Sequence, residues 1–169
     1  MADAPRLTKP DWERQLHVVL PVFGHRNWIV VADSAYPSQS KPGIETIVSG
    51  GGQLEVARKV LDAINATRHV RANIYLDQEL AYVAEADSHG VTRYRERLGD
   101  LLKGANRIDM LHEQIIAKLD QVSQVFNVLI IKTDLTIPYT SIFFELGCAY
   151  WPADAEERMR KAMAAAGTK

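Results

Sequence analysis

The stretch FGHRNWIVVAD, residues 23–33, decides the predicted fold class. Its centre, residues 28–32, is a short apolar run rich in β-branched side chains and bounded by polar residues, which is typical of a strand inside a sheet. His25 precedes this strand and Asp33 follows it. Five strand residues span roughly 17 Å, so these two side chains cannot pair along one extended strand. The stretch therefore predicts an interior strand with a titratable residue beyond each end.

The segments on either side of this strand alternate between strand and helix patterns. Short apolar runs predict further strands at 72–76, 106–111, 128–132 and 139–151. Apolar residues at helical spacing predict helices at 12–20, 53–68, 90–104, 112–126 and 153–169, with a short helix at 44–49. This alternation favours a three-layer α/β/α domain with a mostly parallel central sheet. Ligands of such sheets gather beyond the carboxyl ends of the strands, which makes Asp33 a candidate site residue.

Composition narrows the class of protein and its partners. The chain has 169 residues, of which 47% are hydrophobic and 24% charged, as expected of one globular domain. Twenty basic and 21 acidic residues give a net charge of −1 without a run of like charges, so we expect no nucleic-acid partner. No apolar run approaches 18 residues and the first residues do not resemble a signal peptide. We therefore expect a cytoplasmic protein that does not enter a membrane.

The sequence also gives no pattern for a cofactor. Cys148 is the single cysteine, which excludes an internal disulfide framework. The histidines lack His-x-x-x-His and His-Glu-x-x-His spacing, so no metal site is predicted. Three glycines at 50–52 lack the spacing of a phosphate-binding loop. We expect a neutral small molecule as the partner, and no cofactor.

Two segments resemble a known family. Gly24-His25, the strand, and Asp33-Ser34-Ala35-Tyr36-Pro37 resemble the Gly-His, strand, Asp-Ala-x-x-Pro segment of the RbsD/FucU sugar mutarotases. IIKTDLTIPYTSIFFELG, residues 130–147, resembles that family's later strand, its Pro-Tyr loop and the strand that ends in glycine. Between them, residues 93–95 resemble the fucose-type branch and residues 112–114 the ribose-type branch. The ordered matches cover about residues 15–150 and imply the RbsD-like α/β fold.

The resemblance also implies a role for individual residues. His25 would be the acid/base histidine, while Asp33, His112 and Tyr139 would contact the sugar. Ser141 is the remaining substrate-contacting position, and it stands where the family has asparagine. A serine hydroxyl offers one rotatable donor, whereas the asparagine amide offers both a donor group and an acceptor. Glu145 is a second departure, because it puts a charge into an otherwise apolar strand. These two departures leave catalysis open.

The implied reaction is the interconversion of anomers or ring forms of a free aldose by cofactor-free general acid/base catalysis. Histidine can exchange protons near neutral pH, and a carboxylate can accept two hydroxyl protons. The alternative is a non-catalytic sugar-binding or assembly protein on the same scaffold. The resemblance further implies a ring-shaped homo-oligomer, with a decamer as the candidate size, whose sites are completed by a neighbouring subunit.

The chain then divides into a family domain, residues 1–151, and a C-terminal helical extension, residues 152–169. Met159 and Met163 of this extension are candidates for packing on a neighbouring subunit.

Each site residue also has a simpler interpretation. His25 could cap a turn, and Asp33 could bond its own loop backbone in an Asx turn. Tyr139 could be a packing or interface aromatic. His112 could lie in the first turn of a helix without any ligand.

Overall fold

The computed structural model describes residues 11–167. Its helices are α1 Trp12–Val19, α2 Gln53–Asn65, α3 Val91–Leu101, α4 His112–Val122 and α5 Ala153–Ala165. Its strands are β1 Trp28–Ala32, β2 Ile44–Val48, β3 Val70–Asp77, β4 Arg107–Met110, β5 Val128–Lys132 and β6 Ile142–Cys148. A 3₁₀ turn at Gln78–Tyr82 follows β3. All five long helices and the strands predicted around residues 28, 72, 106, 128 and 142 are confirmed.

One six-stranded sheet has the order β2-β5-β1-β6-β3-β4. β1 and β2 both run parallel to β5, and β3 runs parallel to β4. β6 is antiparallel to both of its neighbours, β1 and β3. The mostly parallel sheet is therefore confirmed, with β6 as the reversed strand. The carboxyl ends of the five parallel strands and the start of β6 share one edge, called here the carboxyl edge; the opposite side is the amino edge.

The helix predicted at 44–49 is wrong, because residues 44–48 form β2 at one side of the sheet. Four of its five residues, Ile44, Thr46, Ile47 and Val48, are β-branched, which suits a pleated strand. The run is too short for its periodicity to separate a helix from a strand, and pairing with β5 decides the outcome. As a result, β1 connects to β2 through the loop 33–43, without a helix between them.

The sheet is the middle of three layers. On one face α1, α2 and α3 pack with Ile29 and Val31 of β1 into the larger core cluster. On the other face α4 contributes Ile115 and Leu119, which pack with the alternate residues of the same strand. Every residue of β1 is buried, as expected of an interior strand with both faces covered. The three-layer α/β/α prediction is confirmed.

The C-terminal helix α5 differs from the other helices because none of its residues is buried. It carries three ion pairs at i,i+4 spacing: Asp154 with Arg158, Glu156 with Arg160 and Glu157 with Lys161. Such pairs support a helix that has little packing. Across residues 11–167, none of the helices combines the length and apolar character needed to cross a bilayer.

Candidate functional site

Asp33 and Ser141 meet at the carboxyl edge although they are 108 residues apart in the chain. The hydroxyl of Ser141 donates to Oδ2 of Asp33 at 3.2 Å. The other carboxylate oxygen, Oδ1, accepts the backbone N–H of Ala35 at 2.9 Å, so the predicted Asx turn is present. Asp33 is only partly buried, and a carboxylate offers about four lone-pair sites. It can therefore still accept hydroxyl protons from a ligand.

His112 and Tyr139 lie in contact at the same edge. Their rings meet edge to face with centroids 5.7 Å apart. His112 is the first residue of α4, and its backbone N–H donates to both carboxylate oxygens of Glu79 at 3.0 Å each. A carboxylate at this end also complements the helix dipole. Glu79 thus holds the start of α4, and with it the imidazole, against the cluster.

Tyr139 has a left-handed backbone with φ of 58°, which is uncommon for a residue other than glycine. Its loop is anchored by the buried side chain of Gln53, whose amide donates to the carbonyl of Thr140 and to the hydroxyl of Tyr94. Gln53 in turn accepts from the hydroxyl of Thr133 at 3.1 Å. Strained backbone persists where the surroundings over-determine it, and such places are often functional.

Asp77 is the site residue that the sequence interpretation missed. It ends β3, and its side chain is only 1% exposed, with Oδ1 lying 3.1 Å from Nδ1 of His112. Burial raises the pKa of Asp77 to about 6; the charge of His112 opposes this rise, while those of Glu79 and Asp33 add to it. The rule that pointed to Asp33, an acidic residue directly after a strand, applies equally to this position. The apolar run that predicts this strand ends at residue 76, so the sequence pattern does not include Asp77.

Tyr36 completes the polar surroundings from the loop after β1. Its hydroxyl is buried without a hydrogen-bond partner among residues 11–167. Burial raises the pKa of Tyr36, and the nearby charges of Asp120, Asp77 and Asp33 raise it further. Tyr36 therefore stays protonated at physiological pH. It is a hydrogen-bond donor beside a group of acids.

His25 does not join this cluster within one chain. It lies exposed before the start of β1, at the amino edge, and β1 separates it from Asp33 by roughly 17 Å of strand. It lines an open cavity of about 500 Å³ together with Glu145 and Trp151. The neighbouring residue Arg26 has a left-handed backbone with φ of 77°. Each edge therefore has a residue other than glycine in a left-handed conformation: Arg26, next to His25, at the amino edge, and Tyr139 at the carboxyl edge.

Glu145, the charged departure in β6, also belongs to the amino edge. It lies opposite Trp28, the first residue of β1, and accepts the hydroxyl of Tyr75 at 2.8 Å. Burial, with the hydrogen bond to Glu145 as the second cause, raises the pKa of Tyr75 to about 12. Glu145 is four residues from Ser141, or roughly 13 Å along the strand. Its charge is thus placed near His25 and not near the Asp33 cluster.

A cavity of about 410 Å³ adjoins the cluster at Asp77, on the side of β4 and α3. Apart from Asp77, the charged groups that line this cavity already have protein partners. Arg107 pairs with Asp109 through two hydrogen bonds of 2.8 and 3.0 Å, and Arg95 donates to the carbonyls of Leu80 and Val83. The Asp33 cluster has more unused acceptor capacity and is the better candidate for a polar ligand.

The chemistry of the cluster is that of proton exchange and hydrogen bonding. It contains the carboxylates of Asp33 and Asp77, the imidazole of His112, the phenols of Tyr36 and Tyr139, and the hydroxyl of Ser141. Within residues 11–167, no three His, Cys, Asp or Glu side chains are grouped so that they could hold a metal ion. Such a set suits a small ligand with several hydroxyl groups.

The fold and the site together define the class of protein: it is an α/β domain with a polar cluster at the carboxyl edge of a mostly parallel sheet. The model of the RbsD / FucU transport protein family matches residues 9–149. The chain belongs to this family. A search of curated proteins found no significant match.

Solved structures show the same fold at low sequence identity. Bacillus subtilis RbsD complexed with D-ribose has a TM-score of 0.54 and 19% identity, and the match covers 87% of this chain and 98% of that one. The fucose mutarotase of Streptococcus pneumoniae in complex with L-fucose has a TM-score of 0.50, 19% identity and the same two coverages. FucU from Bifidobacterium longum has a TM-score of 0.50 and 15% identity, covering 79% and 94%.

Proposed function

We propose that the protein is a cytoplasmic, cofactor-free mutarotase or pyranase of a free aldose. One observation carries the proposal: Asp33, His112, Tyr139 and Ser141, which the family resemblance associates with the sugar, lie together at the carboxyl edge. They come from three separate regions of the chain. Family membership and the sugars bound in two related structures, D-ribose and L-fucose, support an aldose as the substrate class.

The reaction requires an acid and a base on one sugar. Ring opening removes the proton of the anomeric hydroxyl and adds a proton to the ring oxygen, and closure on the other face reverses both transfers. Asp33 accepts hydroxyl protons and orients the ring, while the Tyr139 side chain offers an apolar face and a hydroxyl. His25 is the proposed acid/base group. Positioned acid/base groups supply about 10²- to 10⁴-fold in rate.

His25 would reach this cluster from a second copy of the chain. The amino edge is exposed around His25, and two large aromatic side chains lie beside it, Tyr150 and Trp151, which are 74% and 43% exposed. Exposed aromatic side chains are typical of surfaces that bind another protein. We propose a ring-shaped homo-oligomer, with ten copies as the candidate size, in which the amino edge of one copy covers the carboxyl edge of the next.

Saturation-transfer NMR on free sugars tests the activity. D-ribose, L-fucose and other aldoses are mixed with the protein, and exchange between anomers and between ring forms is measured. We expect accelerated exchange of at least one aldose, strongly reduced in Asp33→Asn and retained in Asp62→Asn, which changes an exposed carboxylate of α2. If the chain accelerates the exchange of no aldose, the proposed activity is wrong.

A sugar-binding protein without catalysis is the second candidate, and the state of Ser141 favours it. The one hydroxyl proton at this position is already donated to Asp33. An amide would keep further donors for the sugar. Binding of ribose or fucose without faster anomer exchange would select this second function.

A further inference from the structure

Asp77 is a buried acid that lies directly against the imidazole of the candidate site. Its side chain is 1% exposed, while that of His112 is 31% exposed. The contact joins Oδ1 of Asp77 to Nδ1 of His112 at 3.1 Å. Among residues 11–167, neither carboxylate oxygen of Asp77 has any other hydrogen-bond partner, and Nδ1 of His112 has none either. The 3.1 Å contact is within hydrogen-bond distance, so each group is the polar partner that the other has.

An acid in this position costs stability. Burial disfavours its ionised form and raises the pKa of Asp77 to about 6, in spite of the nearby imidazole. Buried carboxylates are rare unless they are paired and hydrogen-bonded. A group that is costly to bury and lies in a polar cluster is a candidate for function.

The ring of His112 is constrained from several directions. Glu79 accepts its backbone N–H, and the Tyr139 ring packs against it edge to face. Because Nδ1 faces Asp77, Nε2 is the ring nitrogen left for a ligand. Which nitrogen of a histidine carries the proton is set by the partner of the other nitrogen.

We propose that Asp77 is a positioning residue that keeps the neutral His112 imidazole protonated on Nδ1, so that Nε2 can accept a proton from the sugar. The inference rests on the proposed function and deepens it. It assigns His112 a part in proton transfer, in addition to sugar contact.

The proton transfers balance as follows. Nε2 of His112 takes the proton of the anomeric hydroxyl, and the electron pair of that O–H bond forms the carbonyl as the bond from C1 to the ring oxygen breaks. The ring oxygen takes a proton from the imidazolium of His25 of the second copy. Ring closure returns one proton to His25 and one to the anomeric oxygen, so both histidines regain their starting states.

The groups around Asp77 determine how this arrangement responds to pH. They come from α4, from the turn after β3, from the loop after β1 and from the adjoining cavity: His112, Glu79, Asp33, Tyr36, Arg95, Arg107 and Asp109. Protonation of Asp77 removes the negative charge that favours the proton on Nδ1. We therefore expect exchange to slow as the pH falls through about 6.

Nitrogen-15 NMR of the His112 ring tests the inference without reference to activity. The full chain should show neutral His112 mainly as the Nδ1–H tautomer, with the signal assigned by its loss in His112→Gln. Asp77→Asn should shift the population toward Nε2–H, and Asp77→Glu should restore part of the Nδ1–H form. A structural role alone would not move this tautomer.

Exchange of ribose and fucose, measured between pH 5 and 8, adds the kinetic test. In Asp77→Asn we expect the maximal exchange rate at pH 7 to fall about tenfold or more, while the half-saturating sugar concentration changes less than about twofold. The decline between pH 7 and 5 should also become shallower. Asp62→Asn, which changes an exposed carboxylate on α2, should keep the parent rate within about twofold.

The two experiments distinguish a failure of this inference from a failure of the proposed function. An Asp77→Asn protein with the parent tautomer and rate would overturn the inference and leave the proposed function intact. A parent chain that accelerates no sugar exchange would overturn the proposed function, and the nitrogen shifts of His112 would still decide whether Asp77 sets the tautomer.

Discussion

The two edges of the sheet differ in how much of the predicted site one chain completes. At the carboxyl edge, Ser141 donates to Asp33 and Glu79 holds the start of α4, so several side chains already constrain one another. At the amino edge, His25 and Trp151 are exposed around an open cavity of about 500 Å³. The same strand, β1, ends in a preorganised cluster on one side and begins beside an open surface on the other.

A motif can bring two residues close together in the sequence without bringing them into one site of the folded chain. Asp33 and His25 stand eight residues apart in one continuous segment, yet they serve opposite sides of the sheet. Both edges also carry a left-handed residue other than glycine, Tyr139 and Arg26. Such conformations cost about 1–3 kcal/mol each and persist where the surroundings or a function require them. The proposal of a site shared by two copies gives both edges a reason for this cost.

The largest expected effect comes from His25. His25→Ala should lower the rate of anomer exchange by about 10²- to 10⁴-fold, because it removes the proposed acid/base group. NMR exchange spectroscopy on a responsive sugar measures the rate, with His17→Ala, an exposed histidine of α1, as the matched control. A His25→Ala protein with the parent rate would confine the chemistry to the carboxyl edge.

The next effect concerns stability and pH at the carboxyl edge. The folded-state pKa of Asp77, about 6, lies above its ordinary value, so the folded chain holds this proton more tightly than the unfolded chain. This carboxyl therefore makes the free energy of unfolding fall as the pH rises from about 4 to about 6. Asparagine does not ionise, so Asp77→Asn avoids this fall in the free energy of unfolding. The variant should therefore be about 1–3 kcal/mol more stable than the parent at pH 7. Urea unfolding at pH 4 and pH 7 measures the difference; a variant less stable than the parent at pH 7 would contradict the expectation.

A smaller effect distinguishes the two left-handed residues. At position 139, glycine should be about 1 kcal/mol more stable than alanine, because glycine adopts positive φ without strain. The same comparison at position 26 should give a difference of similar size. Sugar affinity should fall about tenfold for both Tyr139→Gly and Tyr139→Ala, because both lose the ring. Equal unfolding free energies for the glycine and alanine variants would show that the backbone at these positions is unstrained.

The smallest effect is expected from the C-terminal helix. Removal of residues 152–169 should change the free energy of unfolding by less than about 0.5 kcal/mol, because α5 buries no residue in the chain. Denaturant unfolding together with light scattering separates two roles. A large loss of stability would make α5 part of the domain, and a reduced assembly mass with unchanged sugar exchange would support its packing on a neighbouring copy.

Much of the fold was predictable because its central strands are distinctive. WIVVA and VLIIK have β-branched runs of strand length, and α2 places its apolar residues at helical spacing. β2 was not predictable in the same way, because a five-residue run at the side of a sheet gains its structure from pairing with β5. The reversed direction of β6 is likewise a property of the assembled sheet.

The candidate site was predictable only in part. The family motifs pointed to Asp33, His112, Tyr139 and Ser141, and the strand-end rule explains why such residues share an edge. Asp77 was missed because β3 extends one residue beyond the predicted strand. The position of His25 on the opposite edge follows from strand direction, and no motif spacing encodes whether a second copy brings it back.

Mixing two inactive variants tests the central claim that two edges from different copies form one site. His25→Ala and Asp33→Asn proteins are dissociated together, reassembled and assayed for anomer exchange. If the site is shared, random reassembly should restore activity in roughly one quarter of the sites, those with both parent residues. Mixed assemblies, verified by mass, that remain as inactive as either variant alone would contradict the account.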